Sequence, residues 1–201
     1  MSKPSEVLMI FPVAVLVTDI EETGNLNKKL CRGAYDLMKV QPNTKPTAWA
    51  CNVYTTILNG QTLTDTEPFS SLKSLILKET EKYARHLKFD IDNHPLRISE
   101  CWLNIYGKGH AQDIHVHSNN VFSGIYYPKA PKGCGELIFH SPAADQMLEP
   151  PITEVTGANT PSFKIQPVAG RMVLFRSWLR HSVMPSEIEE DRISIAFNIL
   201  M

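Results

Sequence analysis

Arg192-Ile193-Ser194-Ile195-Ala196-Phe197-Asn198-Ile199-Leu200 alternates strictly between two kinds of residue. At the two-residue period of a strand, Arg192, Ser194, Ala196 and Asn198 share one face, and Ile193, Ile195, Phe197 and Ile199 share the other. The apolar face reads as core surface lying under helices. The opposite face begins with a cation and a hydroxyl. If that face looks into a barrel, Arg192 is buried and requires an anionic partner, because an unpaired buried charge is costly. A bidentate carboxylate ligand meets that need, with Ser194 giving a second hydrogen bond. An exposed edge strand with a solvated Arg192 satisfies the same periodicity.

Working back from this strand, short β-rich runs separated by turn residues recur from Ile98 onward. They are Cys101 to Tyr106, Asp113 to His117, Val121 to Tyr127, Glu136 to His140, Ser162 to Gln166, Arg171 to Phe175 and His181 to Met184. With the final run this makes about eight short strands in one half-chain, which suggests a sandwich or jelly roll rather than a parallel sheet. The first half reads as mixed. Leu8 to Val17 resembles an edge strand interrupted by Pro12. Leu26, Leu30, Ala34 and Leu37 recur at helical spacing behind an Asn25 cap, in a helix reaching Met38. Asn43 to Asp65 reads as loop with a strand or two. A second helix starts near Asp65-Thr66-Glu67-Pro68, buries Leu72, Leu75, Ile76, Tyr83 and Leu87, and ends between Phe89 and Pro95. The expectation is one domain over residues 1–201. In it, residues 1–97 form a helical and mixed support, and residues 98–201 form the β core.

The balance of charge excludes some partners. A net charge of −1 leaves no basic footprint for nucleic acid. No apolar run is long enough for a membrane span, and Val7 to Val17 lacks a secretory cleavage pattern, so a cytoplasmic location is expected. Cys31, Cys51, Cys101 and Cys134 are scattered without a CxxC, which argues against a zinc knuckle or a redox dithiol and for neutral thiols in a reducing compartment.

The chemistry begins at His115-Val116-His117. In a strand both imidazoles project from one face, with Ile114 and Val116 on the other, and two imidazoles side by side suit a divalent transition metal. An HxH pair alone is a weak signal. His181 opens a later strand, and a hairpin through Pro185 to Asp191 is expected to lay it beside the final strand. Two close ligands and one distant one make the facial-triad arrangement of non-haem iron centres, with open positions for other ligands.

The ordered set Trp102-Leu103-Asn104, His115-Val116-His117-Ser118-Asn119, Ser123-Gly124-Ile125-Tyr126-Tyr127, Gly170-Arg171-Met172-Val173-Leu174-Phe175, Ser177-Trp178-Leu179-Arg180-His181 and Arg192-Ile193-Ser194-Ile195-Ala196-Phe197-Asn198 resembles the 2-oxoglutarate/Fe(II)-dependent dioxygenase superfamily. The likeness covers roughly residues 98–201, with a weaker match around Phe11-Pro12. It implies a mainly β protein with flanking α-helices, built on a double-stranded β-helix (a jelly-roll, cupin-like barrel). It implies that His115 and His181 ligate Fe(II), that Arg192 and Ser194 bind the far carboxylate of 2-oxoglutarate, and that Tyr127 hydrogen-bonds that carboxylate. Asn104 and Tyr106 are further candidates for cosubstrate or substrate contact. Most members of the superfamily have Asp or Glu where this chain has His117, so a three-histidine centre with one negative charge fewer is expected, with a two-histidine centre completed by water as the alternative. Asp113 is an alternative ligand or a partner orienting an imidazole. With O2, such a site implies hydroxylation of a small-molecule or protein substrate with release of succinate and CO2.

Other residues carry weaker signals. His110 and His140 are expected at the surface or behind the site, and His86 and His94 in solvent. Trp178 is expected to be a packing anchor, and Arg171, Arg176 and Arg180 to be solvated strand ends. Pro142 to Pro161 is expected to shape the site's mouth. Two other functions fit parts of the pattern. One is a cupin-type metalloenzyme that does not use 2-oxoglutarate, although the cupin Glu and the close Gly-to-His spacing are missing. The other is a non-catalytic jelly-roll binding or structural protein. Arg192-Ile193-Ser194 after His181 separates the first reading from both. A homo-oligomer is compatible with all three.

Overall fold

The computed structural model describes residues 5–60, 62–143 and 150–201. In chain order the elements are β1 (Val15–Asp19), α1 (Gly24–Val40), β2 (Tyr54–Thr55), α2 (Lys73–His86), β3 (Arg97–Tyr106), β4 (Gln112–His115), β5 (Phe122–Lys129), β6 (Leu137–His140), β7 (Ser162–Ile165), β8 (Arg171–Arg176), β9 (His181–Val183) and β10 (Arg192–Leu200). All eight expected strands of the β half are present. They form two antiparallel sheets, a larger one ordered β1-β8-β5-β10-β3-β2 and a smaller one ordered β4-β9-β6-β7.

β10 is a central strand, hydrogen-bonded to β5 on one side and β3 on the other, and all but its last residue is buried. An exposed edge position for Arg192 is thereby excluded. Ile193, Ile195, Phe197 and Ile199 pack into one cluster with Leu30 and Ala34 of α1 and Ile76, Tyr83 and Ala84 of α2. Each such burial is worth roughly 1.5–3 kcal/mol, so this face fixes the helices onto the sheet. The inner faces of the two sheets meet in a second cluster that joins Val173 and Phe175 of β8 to Leu137, Phe139 and Val183 of the smaller sheet.

Several local expectations need correction. The first strand begins at Val15, and Val7 to Phe11 are exposed without regular pairing, because Phe11 takes a left-handed φ of 59° just before Pro12. Helix α1 begins at Gly24, and its N-cap Thr23 makes no side-chain capping bond, so Asn25 is not the cap. Helix α2 begins only at Lys73, after short 3-10 turns at Leu63–Asp65 and Phe69–Leu72 that use up the Pro68 region. The segment after β9 does not form a hairpin with β10. β9 pairs with β4 and β6 in the smaller sheet, so His181 faces β10 across the interior instead of lying beside it.

All four cysteines are free, and burial pushes the Cys101 thiol up to about 12. Among the described residues, no helix is long and apolar enough to cross a membrane.

Close packing under β10 yields a prediction. A Cβ added at Gly124 of β5 would stand 2.3 Å from Phe197 Cζ and 2.7 Å from Leu174 Cδ2. Gly124→Ala is expected to destabilise the protein by about 1–3 kcal/mol, read as a lower urea midpoint at unchanged slope. An unchanged midpoint would mean that this interface has slack the packing does not show.

Candidate metal centre

The register of β3 against β10 builds one wall of the site. Tyr106 pairs with Arg192, Asn104 with Ser194, Trp102 with Ala196 and Glu100 with Asn198. All eight side chains line a cavity of about 260 Å³. The smaller sheet closes it with Gln112, His115, His181 and Val183, and β5 adds Ile125 and Tyr127. Sequence reading places Trp102 in a motif without giving it a role and does not single out Glu100, although the alternation that marks Asn104, followed back along β3, reaches both. Trp49 and Ile57 also line the cavity, from a loop with no periodicity to reveal them.

The three histidines converge. His115 and His181 are directly paired across β4 and β9, and one ring nitrogen from each of His115, His117 and His181 lies within 4.8 Å of the others. β4 ends at His115, so the HxH is not wholly strand. His117 is held instead by its backbone N–H, which donates to the Ser177 carbonyl. A bulge between Gln112 and His115 shifts the alternation on β4. Gln112 therefore lines the cavity while the Asp113 side chain is exposed and outside the cluster. The expected sharing of a face by Asp113 and both histidines does not occur.

Each Nδ1 has an oxygen partner. His115 Nδ1–H donates to the Asp113 carbonyl at 2.7 Å, and His181 Nδ1–H donates to the Leu179 carbonyl at 2.9 Å. A carbonyl only accepts, so both rings carry their proton on Nδ1 and leave Nε2 as a lone pair. His117 Nδ1 lies 2.6 Å from Asn198 Oδ1. Burial lowers the pKa of all three rings, taking His117 down to about 4 and His181 well below its ordinary value, against weaker opposing hydrogen bonds. All three imidazoles are therefore neutral at pH 7. A cluster of neutral imidazoles with inward lone pairs is the donor set that a divalent iron, cobalt or nickel ion accepts.

The other end of the cavity is cationic. Arg192 is 1% exposed, and among the described residues it has no carboxylate within ion-pair distance. One guanidinium nitrogen donates to the Gly135 carbonyl at 2.9 Å, and the group lies 4.1 Å over the Tyr106 ring. Its Nε and the nearby Tyr127 hydroxyl have no hydrogen-bond partner in the protein. Desolvating such a cation costs several kcal/mol, and one carbonyl and one ring face each offset about 2 kcal/mol of that. Two buried polar atoms remain unsatisfied beside it, which suits a small carboxylate ligand and not an apolar one. Burial pushes the Tyr127 and Tyr106 hydroxyls up to about 12, so both stay protonated as donors.

The other candidates fall outside the cluster. Asn104, with its amide turned so that Nδ2 faces Thr55 Oγ1 (2.8 Å) and Oδ1 faces Trp102 Nε1 (3.2 Å), is engaged by the wall itself. His110 Nδ1 accepts from the Gly107 N–H, and His140 is hydrogen-bonded to Ser182. Trp178 is 48% exposed and is not a packing anchor. Arg171 is paired with Asp19 at 2.7 Å and Arg176 stacks on Phe89, so of the three expected solvated arginines only Arg180 is exposed. Of the Pro142 to Pro161 loop, residues 144–149 lie outside the described residues, and none of its described residues lines the cavity.

Comparison with known proteins agrees with this geometry. Residues 100–198 match the model of a family described as "putative 2OG-Fe(II) oxygenase". The structure is similar to a prolyl-4-hydroxylase from Pseudomonas putida, with a TM-score of 0.62, 14% identity and 94% of each chain covered. It is also similar to a viral collagen prolyl hydroxylase from Paramecium bursaria Chlorella virus-1 in complex with 2OG, with a TM-score of 0.58, 15% identity and 92% and 94% of the two chains covered. HygX from Streptomyces hygroscopicus, with nickel, 2-oxoglutarate and hygromycin B bound, gives a TM-score of 0.60 at 13% identity, covering 94% of this chain and 83% of that one. No curated protein matches in sequence. The fold is the double-stranded β-helix, and over residues 100–198 the chain is similar to the 2OG-Fe(II) oxygenases, an oxidoreductase family that uses Fe(II), 2-oxoglutarate and O2.

The unpartnered hydroxyl yields a prediction for the ligand-free protein. Tyr127→Phe removes a buried polar atom without a partner, so thermal stability is expected to stay level or rise by about 1 kcal/mol. A clear loss of stability on calorimetry would mean that the hydroxyl has a structural partner.

Proposed function

We propose that this protein is a Fe(II)- and 2-oxoglutarate-dependent dioxygenase that hydroxylates a small-molecule or protein substrate, with release of succinate and CO2. The observation that carries this reading is the buried, carboxylate-free Arg192 in the same cavity as three convergent, neutral imidazoles. His115, His117 and His181 would hold the iron. Arg192 and Ser194 would bind the far carboxylate of 2-oxoglutarate, with the Tyr127 hydroxyl donating to it. Asp113 acts through its carbonyl, which fixes the His115 ring, and Asn104 acts through Trp102, whose indole it orients. Iron held there would supply oxidative decarboxylation of the cosubstrate by O2, coupled to conversion of a substrate C–H to C–OH.

The chain's own residues position and exclude. Arg192 is fixed by Gly135 and Tyr106 before any ligand arrives, so little side-chain entropy is lost on binding. Ile125, Val183 and Ala196 give the middle of the cavity apolar walls that limit water. Trp49 and Ser118 also line it and are available to a second reactant.

The test is equilibrium binding of 2-oxoglutarate to the metal-loaded protein without oxygen. Arg192→Met is expected to weaken 2-oxoglutarate binding by at least tenfold while leaving metal affinity intact, since losing a buried charge partner costs about 2–5 kcal/mol. His181→Ala is expected to abolish metal binding. Unchanged 2-oxoglutarate affinity in Arg192→Met would contradict the assignment. Metal binding without 2-oxoglutarate binding in the native protein would leave a metalloprotein that does not use this cosubstrate.

A further inference from the structure

His117 lacks the feature that settles the tautomers of the other two histidines. Its Nδ1 meets the Asn198 side chain, whose amide offers either an acceptor or a donor depending on how it is turned. Asn198 has three neighbours here. Its Nδ2 donates to Glu100 Oε2 at 2.5 Å, while its Oδ1 lies 2.6 Å from His117 Nδ1 and accepts from Ser123 Oγ at 2.8 Å. Ser123 is in turn hydrogen-bonded to Ser177 Oγ at 2.8 Å.

Of these neighbours only Glu100 can decide the amide's orientation. The two hydroxyls can reverse their direction together, so they suit either orientation. A carboxylate only accepts, and turning the amide would set Asn198 Oδ1 against Glu100 Oε2. With Nδ2 held toward Glu100, Oδ1 must face His117, and His117 must carry its proton on Nδ1. Its Nε2 lone pair then joins those of His115 and His181. In the reversed orientation the amide would favour a proton on Nε2, and that nitrogen could not ligate.

We propose that Glu100, acting through Asn198, is a positioning residue that selects the metal-binding tautomer of His117 and sets a negative charge behind a centre whose ligands are all neutral. This rests on the reading of the three histidines as metal ligands. The charge lies one amide away from His117, so it raises the ligand's basicity through two hydrogen bonds instead of by direct contact. The arrangement follows from β3–β10 register, which pairs Glu100 with Asn198 on the cavity face.

The experiment compares the native protein with Glu100→Gln and with the double variant Glu100→Gln/Asn198→Asp. The double variant reverses the polarity of the Glu100–Asn198 contact: an aspartate at position 198 accepts from His117 Nδ1 while the new amide donates to it. Cobalt(II) affinity is expected to fall by about tenfold or more in Glu100→Gln, in line with the usual effect of losing a ligand's supporting partner, and to recover most of that loss in the double variant. In metal-free protein, long-range proton–nitrogen correlations of the His117 ring are expected to show Nδ1–H in the native and double variants. An Nε2–H population is expected in Glu100→Gln. A native tautomer together with native affinity in Glu100→Gln would overturn the proposal, and so would a folded double variant without recovery. If the native protein bound no metal, the reading of the centre would fail, while the tautomer comparison would still decide the role of Glu100.

Discussion

Everything in this molecule depends on β10 being buried on both faces. Its isoleucines and Phe197 hold the two helices, and its polar face has no water to turn to, so Arg192, Ser194 and Asn198 must find partners inside. A central strand with one polar face is tolerable only if that face lines a cavity. The apolar burial on one side, several side chains at roughly 1.5–3 kcal/mol each, stabilises a strand whose other side carries a net penalty. The site is in this sense the polar half of the core.

The penalty is unevenly distributed, and its distribution is informative. At the Asn198 end the amide, the His117 Nδ1 and the Ser123 hydroxyl are all hydrogen-bonded within the protein, and the imidazoles are held neutral by burial. At the Arg192 end the guanidinium is anchored but incompletely satisfied. A ligand that carries a carboxylate at one end and metal-binding oxygens at the other matches that polarity. An apolar ligand would leave the cation as it is. Strained or under-satisfied groups of this kind collect where binding is the purpose.

Much of this was legible in the residues. The alternation from Arg192 to Leu200 identified both faces of the decisive strand, and turn-bounded β-rich runs located all eight strands of the β half. Strand pairing was less accessible. Nothing between His181 and Arg192 announces that the chain crosses from one sheet to the other, and a hairpin is the shorter path. Asp113 was misplaced because a bulge at Gln112–His115 shifts the period, and bulges leave no mark in a single sequence. An acidic residue near the start of a strand reads as solvated, and Glu100 is in fact exposed while also contacting Asn198. Its significance lies in the partner across β10, which only register reveals.

The central claim is that the three histidines and Arg192 form one site for a metal and a 2-oxo acid, and a single titration addresses it most directly. Fe(II) is added to the metal-free protein under anaerobic conditions, followed by 2-oxoglutarate, and the visible spectrum is recorded. Stoichiometric iron binding and a visible charge-transfer band that grows with 2-oxoglutarate, absent in Arg192→Met at the same concentrations, is the predicted result. Iron binding with no band at saturating 2-oxoglutarate, or a band of native strength in Arg192→Met, would contradict it.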